Sequence, residues 1–274
     1  MANRLAEFED KRTFMKIQVL ASAVNQNNAE LIAKMNIQTD AVLVNQCDGY
    51  AYEEIRKGDS RIQCISMPER GVGLSRNTAL LHADTDVCVF SDEDIVLSDG
   101  YEKMIVRAYE ELPDADMILV NVKVASARWT YWNEDIHRVT YRNYGRYPAY
   151  SITARLEALR KANVNYSLLF GGGAKYSNGE DSLFLKDCLK AGLHIYTHTI
   201  CIGEETERES TWFHGYDNKF FKDRGVLYHY LYGKLAKVLA FRFLWVHRQE
   251  MCREISVRKA YTLMKEGILE AKSR

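Results

Sequence analysis

Proline is nearly absent, three in 274 residues, and no segment is biased toward a few residue types. With 16 glycines, 47% hydrophobic and 27% charged residues, this excludes a disordered or low-complexity chain and fits a folded globular one. Net charge is missing too. The 37 Lys+Arg and 37 Asp+Glu cancel, whereas a dedicated nucleic-acid binder usually carries a basic excess. No apolar stretch reaches the roughly 18 residues that a membrane-crossing helix needs; residues 238–246 come nearest and are cut by Arg242. Cys-x-x-Cys pairs are absent, and six single cysteines (Cys47, Cys64, Cys88, Cys188, Cys201, Cys252) read as reduced, buried thiols. Residues 1–14 mix Arg4, Glu7, Glu9, Asp10, Lys11 and Arg12 with few apolar side chains, the pattern of neither a secretory signal nor a transit peptide.

Several enzyme signatures are missing as well. There is no Gly-x-x-x-x-Gly-Lys-Ser/Thr loop, no Gly-x-Gly-x-x-Gly after the first strand, no Gly-x-Ser-x-Gly elbow and no His-Glu-x-x-His helix. These absences weigh against P-loop kinases, dehydrogenases, serine hydrolases and zincins.

What is present is a series of short apolar runs, 17–24, 41–44, 62–67, 86–90, 117–124 and 194–202, separated by helix-sized segments. Runs without alternation predict strands buried on both faces, hence an α/β fold with a mostly parallel central sheet and helices on both sides. Helices are predicted up to residue 35 and over 73–81, 100–112 and 182–191; a Tyr-, Trp- and Arg-rich stretch, 128–150, reads as loop and strand lining a cleft. The last 56 residues differ: 219–274 hold 13 Lys+Arg and 5 Asp+Glu, a charge of +8 against −8 for the rest. They read as helical, over 228–248 and 253–271. The expected division is 1–215 for a catalytic domain and 216–274 for a basic, aromatic helical extension.

Four groups of residues carry candidate chemistry. Asp92, Glu93 and Asp94 stand where a strand ends, the place where open α/β sheets bind ligands. Adjacent carboxylates repel one another, and a divalent cation sharing phosphate oxygens would neutralise them, although a solvated acidic turn also accounts for them. The second group is Gly171-Gly172-Gly173, followed by Glu180-Asp181 at a helix entry. Bare backbone there suits a turn or a close ligand, whereas capping alone explains the acids about as well. Third comes Arg76-Asn77 after Gly71 and Gly73, where an arginine could meet a base or a diphosphate. Fourth are His198 and the segment Ser210-Thr211-Trp212-Phe213-His214; histidine is an attractive metal ligand but more often a core or surface residue.

In this order and spacing, Ser22-Ala23-Val24-Asn25, Gly71-x-Gly73-x-x-Arg76-Asn77, Ser91-Asp92-Glu93-Asp94 and Gly179-Glu180-Asp181 resemble family 2 glycosyltransferases of the GT-A fold over residues 16–215. The Ser-Thr-Trp-Phe segment is similar to that of bacterial surface-polysaccharide transferases. The resemblance implies that Ser22 and Val24 line a nucleotide site, that Asn45 or Gln46 stands where the family places an Asp contacting the base, and that Arg76 faces the nucleotide. Asp92, Glu93 and Asp94 cover the Asp-x-Asp motif that touches ribose and a diphosphate-bound Mn²⁺ or Mg²⁺. Asp181, with Glu180 beside it, falls on the catalytic base, and Gly172, Gly173, Trp212 and His214 fall on the acceptor side. Val24 replaces a frequent aromatic and Asn45-Gln46 an acidic pair, which bears on the base, uracil by family habit.

The expected activity is inverting, metal-assisted transfer of a sugar from a nucleotide-diphosphate donor to a hydroxyl of a glycan or lipid-linked acceptor in cell-surface polysaccharide assembly. The expected place is the cytoplasm, with peripheral membrane contact through the basic extension, whose apolar side could equally pack on the domain. Two other readings stand beside it. One is a non-catalytic nucleotide-sugar-binding scaffold, against which the intact acidic residues speak. The other is a nucleotidyltransferase, whose glycine- and basic-rich loop after the first strand is here Asn25-Gln26-Asn27-Asn28.

Overall fold

The computed structural model describes residues 15–125, 130–206 and 215–273. Its strands are β1 (Ile17–Val24), β2 (Asp40–Gln46), β3 (Ala51–Lys57), β4 (Ser60–Met67), β5 (Val87–Asp92), β6 (Ile95–Leu97), β7 (Met117–Lys123), β8 (Ile152–Arg155) and β9 (Ile195–Glu205). They form one sheet in the order β3-β4-β2-β1-β5-β8-β7-β9-β6. The helices are α1 (Asn28–Lys34), α2 (Val72–His82), α3 (Tyr101–Glu111), α4 (Leu156–Ala162), α5 (Glu180–Lys190), α6 (Asn218–Tyr232), α7 (Ala236–Val246), α8 (Arg248–Met251) and α9 (Val257–Lys272).

The half that positions the site is parallel. β1 runs alongside β2 and β5, and β2 alongside β4, so the carboxyl ends of β1, β2 and β5 meet at one edge, with Ser22 paired to both Val44 and Asp92 and Val24 to Gln46. The runs without alternation become strands with protein on both sides. Leu20, Val42 and Phe90 point to one face, where α2, α5 and α6 contribute Ala79, Leu80, Phe184 and Leu227. Val19, Leu43 and Val89 point to the other, covered by Leu31 and Ile32 of α1 and by Tyr101 and Ile105 of α3. Helices on both faces of a central sheet are expected and found; the sheet itself is mixed, with four parallel pairings (β1–β2, β1–β5, β2–β4, β7–β9) and four antiparallel ones (β3–β4, β5–β8, β7–β8, β6–β9).

Three strands lie outside those read from sequence, the shortest being β6, which pairs antiparallel with β9. β3 pairs antiparallel with β4 through the turn at Gly58-Asp59, where Gly58 has φ +60°. Its residues are almost all exposed, so no apolar pattern marks it. β8 wedges antiparallel between β5 and β7, within the stretch whose sequence periodicity is weak.

The extension also departs from the expected single helix over 228–248. α6 starts at Asp217, whose carboxylate accepts the Phe220 amide at 2.7 Å, and stops at Gly233, which takes φ +53° and donates its amide to the His229 carbonyl. A glycine in the left-handed region ends a helix at little steric cost, so the chain turns and begins α7. α6 and α9 cross in close contact. A Cβ added at Gly225 would run into the Met264 carbonyl oxygen, and one at Gly267 into the Lys222 carbonyl oxygen. Around the crossing, Phe221, Ala240, Leu244, Ala260, Met264 and Ile268 form a separate buried cluster, while Val226, Leu227 and Leu231 of α6 join the core beneath the sheet.

Candidate active site

Arg76 is the centre of the candidate site. The start of α2 is fixed from two sides: the Gly71 amide donates to Gln46 Oε1 at 2.6 Å, and the Val72 amide to the Gly172 carbonyl at 2.9 Å. One turn on, Ser75 Oγ donates to Ser22 Oγ at 2.9 Å, which ties the helix to the end of β1. Arg76, almost fully buried, then reaches three carboxylates: Asp92 Oδ1 at 3.0 Å through Nη2, and Asp181 Oδ1 at 2.8 Å and Glu180 Oε1 at 3.4 Å through Nη1. Its guanidinium lies 5.2 Å from the centre of the Tyr166 ring, which stacks on Phe184 at 4.0 Å. Burial works against the arginine's charge, but Asp181 and Asp92 outweigh it and hold the group protonated.

One guanidinium cannot neutralise three carboxylates. Asp181 absorbs the imbalance: burial, with the charges of Glu180 and Asp92, raises its pKa to about 7 against the pull of Arg76 and of a backbone hydrogen bond from Ala149. A carboxyl poised near neutrality, at a helix entry beside the sheet edge, is suited to accept a proton from a weakly acidic hydroxyl.

The three consecutive acids of the strand end take different partners, a cation in the case of Asp92. Asp92 takes Arg76, and Glu93 Oε2 accepts the Val24 amide at 2.8 Å, clamping the loop after β1. The Asp94 carbonyl accepts the amide and hydroxyl of Thr206 at 2.8 and 3.1 Å, holding the end of β9. Among the described residues, no group of three or more His, Cys, Asp and Glu side chains is placed to cage a metal ion. Asp92 and Asp94 supply hard oxygens at the sheet edge. They fit a Mg²⁺- or Mn²⁺-type ion that draws most of its ligands from a bound diphosphate and water, and not one enclosed by protein. His198 is occupied elsewhere: its Nε2 lies 3.1 Å from Glu111 Oε2 and its Nδ1 accepts the Ile200 amide.

The remaining candidates fall into two places. Ser22, Val24, Asn45 and Gln46 share the carboxyl edge with Asp92. Asn45 organises the loop after β1, accepting the Gln26 amide at 3.1 Å and donating to the Gln26 carbonyl and Asn28 Oδ1. The glycine run packs against α2. Gly171 has φ +103°, and a Cβ there would lie 2.8 Å from Glu180 Cδ; one at Gly173, φ +78°, would lie 3.0 Å from the Gly71 nitrogen. This explains why three glycines precede Glu180 from a distance in sequence: bare backbone lets α2 and α5 bring Arg76 to Asp181. Trp212 and His214 lie outside the described residues.

Sequence reasoning did not find Tyr166, Ser75 or the Ala149 amide. Tyr166 begins the glycine-containing segment, but nothing in its spacing marks a ring beneath an arginine 90 positions away.

The sequence profile of glycosyl transferase family 2 matches residues 18–170, more than half of the chain. No curated protein matches. Among solved structures, the chain is similar to residues 1–349 of S. aureus TarS in complex with UDP-GlcNAc, at 16% identity and a TM-score of 0.60, covering 88% of this chain and 74% of that one. The UDP complex of the same TarS fragment gives 15% identity and a TM-score of 0.59, covering 93% and 82%. The longer S. aureus TarS chain gives 15% and 0.55, covering 89% of this chain and 45% of that one. At such identities the likeness speaks for the fold.

Proposed function

The chain belongs to glycosyl transferase family 2, and from that premise we propose that it moves a sugar from a nucleotide-diphosphate donor, with uracil as the base, to a hydroxyl of a glycan or lipid-linked acceptor, inverting the anomeric carbon. The observation that carries this reading is the Arg76 cluster, which sets a carboxyl with a pKa of about 7 beside an acidic strand end at the carboxyl edge of the sheet.

In this reading the base rests near Val24, Asn45 and Gln46, where the Asn45 side chain shapes the loop after β1, and the ribose and diphosphate extend toward Asp92 and Asp94. Mn²⁺ or Mg²⁺ held between Asp92, Asp94 and the diphosphate would offset the charge that grows on the leaving group. Arg76 fixes Asp92 and Asp181 relative to each other, so the two ends of the reaction keep a set distance. The acceptor hydroxyl attacks C1 as the bond from C1 to the diphosphate oxygen breaks. Its proton passes to Asp181, and the electron pair leaves with the diphosphate. Glu180 keeps the affinity of Asp181 for that proton high. Gly172 and Gly173, with Trp212 and His214, belong to the acceptor side, and the product enters cell-surface polysaccharide.

The test is a thermal-shift panel of UDP, GDP, CDP and their sugars with Mn²⁺, Mg²⁺ or EDTA, since a ligand that binds the native state raises its stability. Uridine nucleotides are expected to raise the midpoint in the presence of metal, and Asp92→Asn/Asp94→Asn to abolish the rise. A folded protein that no nucleotide shifts would overturn the proposal.

A further inference from the structure

Helix α7 is apolar nearly all round. Its inner side, Ala236, Ala240 and Leu244, is buried. The outer side is exposed: Leu235 by 62%, Val238 by 66%, Phe241 by 48%, Trp245 by 55% and Val246 by 57%. At about 100° per residue these five cover roughly 140° of the helix circumference. A helix of this kind is ordinarily enclosed by protein or by lipid. Phe241 stacks on Trp245 at 6.3 Å, so the two rings form one plate.

Between 234 and 248 the charges are all of one sign: at about 100° per residue Arg242 falls within this arc and Lys237 about 40° beyond its edge. Lys234, Lys237, Arg242 and Arg248 are exposed, and no acidic residue occurs between 234 and 248. Arg248 lies 4.7 Å from the centre of the Trp245 ring and donates to the Trp245 carbonyl. Aromatic and aliphatic side chains interleaved with cations are what the boundary between headgroups and acyl chains accommodates. Eleven residues are too short to cross a bilayer, and no described helix is long and apolar enough to do so.

We propose that α7 is an in-plane anchor that seats this face on an anionic lipid surface. A second copy of the chain suits the face poorly, because a two-fold contact would set Lys234, Lys237, Arg242 and Arg248 against themselves. The preceding functional reading supplies only the use of the anchor, which is to bring the site to a lipid-linked acceptor. The docking itself involves neither donor nor transfer.

The full chain is sedimented with vesicles of phosphatidylcholine containing phosphatidylglycerol, with vesicles of phosphatidylcholine alone, and at low and high salt. Binding to the anionic vesicles is expected, weakened at least about tenfold by removal of phosphatidylglycerol or by high salt. Phe241→Ser/Trp245→Ser and Lys237→Glu/Arg242→Glu should each weaken it by a similar factor, with circular dichroism and thermal midpoint unchanged. No binding by the unaltered chain, or equal binding by the variants, would overturn the proposal. So would a dimer in light scattering that Phe241→Ser/Trp245→Ser dissolves without any vesicle binding, which would give the face to a second copy. Vesicle binding by a chain that no nucleotide shifts would refute the transferase reading and leave the anchor standing.

Discussion

Replacing Asp181 by Asn should make the protein more stable and the enzyme inactive. Asn keeps the shape of the carboxylate and an oxygen for Arg76 Nη1, which lies 2.8 Å from Asp181 Oδ1, while removing the charge. Unfolded, the carboxyl gives up its proton near 3.8; folded, near 7, because burial and the neighbouring acids outweigh Arg76. Between those values folding takes up a proton, so the unaltered chain loses stability as pH rises, and above about 7 the loss is complete. A rise from 3.8 to about 7, at about 1.4 kcal/mol per tenfold change in proton affinity, sets a ceiling of about 4 kcal/mol. The side chain keeps 21% of its exposure, and screening by water brings the expected gain to about 2 kcal/mol, or roughly 5 °C in midpoint. Thermal unfolding of both proteins at pH 4, 6 and 8 measures it. The gap should be near zero at pH 4, widen to pH 8, and accompany a loss of about 10²- to 10⁴-fold in transfer rate. An unaltered chain that outlasts the variant at pH 8 would mean that the Arg76 ion pair outweighs burial, and the assignment of Asp181 as a base poised near neutrality would fall.

Arg76→Met should cost about 3–5 kcal/mol in urea unfolding, because it strips the shared cation from three partly buried carboxylates; Arg76→Lys should recover only part, lacking the fork that spans Asp92 and Asp181. Gly171→Ala should cost at least about 2 kcal/mol, from φ +103° and the contact with Glu180, and it should lower transfer activity as well, since α2 and α5 must part to admit the methyl. Gly267→Ala, at the α6–α9 crossing, should cost about 3 kcal/mol and leave nucleotide-induced midpoint shifts intact. The rate of transfer should rise with pH through about 7 as Asp181 loses its proton, and an Asp181→Asn residual rate should lose that limb.

The parallel half of the sheet was legible because its inner strands are buried on both faces and therefore largely apolar; 17–24 and 41–44 are cases in point. β3 was hidden by the opposite condition, since Tyr52, Glu53, Glu54 and Arg56 face solvent and carry no period. The break in the extension had a visible cause, Gly233, yet glycine alone does not say whether a helix bends or ends. In the site, the carboxylates announced themselves by clustering at a strand end and a helix entry. Their shared partner was not legible. From sequence Arg76 is a residue for the nucleotide, whereas in the fold its three hydrogen bonds go to Asp92, Glu180 and Asp181. Contacts across about 100 positions leave no trace in local spacing.

Gly179 precedes α5 with φ +113°, and the space where its side chain would be is filled by Leu227 of α6. Shortening the protein before α6 would therefore do more than delete an appendage. It would open a leucine-sized hole directly under the turn that presents Glu180 and Asp181, and a dead enzyme would follow even if the lost helices had no part in docking. Anyone trimming this chain for crystals, fusions or a minimal catalyst has to keep α6, and with it α9, whose Gly267 leaves no room for a substitute partner. The boundary that charge and composition draw near residue 216 is thus a poor place to cut, since the helix just beyond it fills the space beside Gly179, at the turn that leads into Glu180 and Asp181.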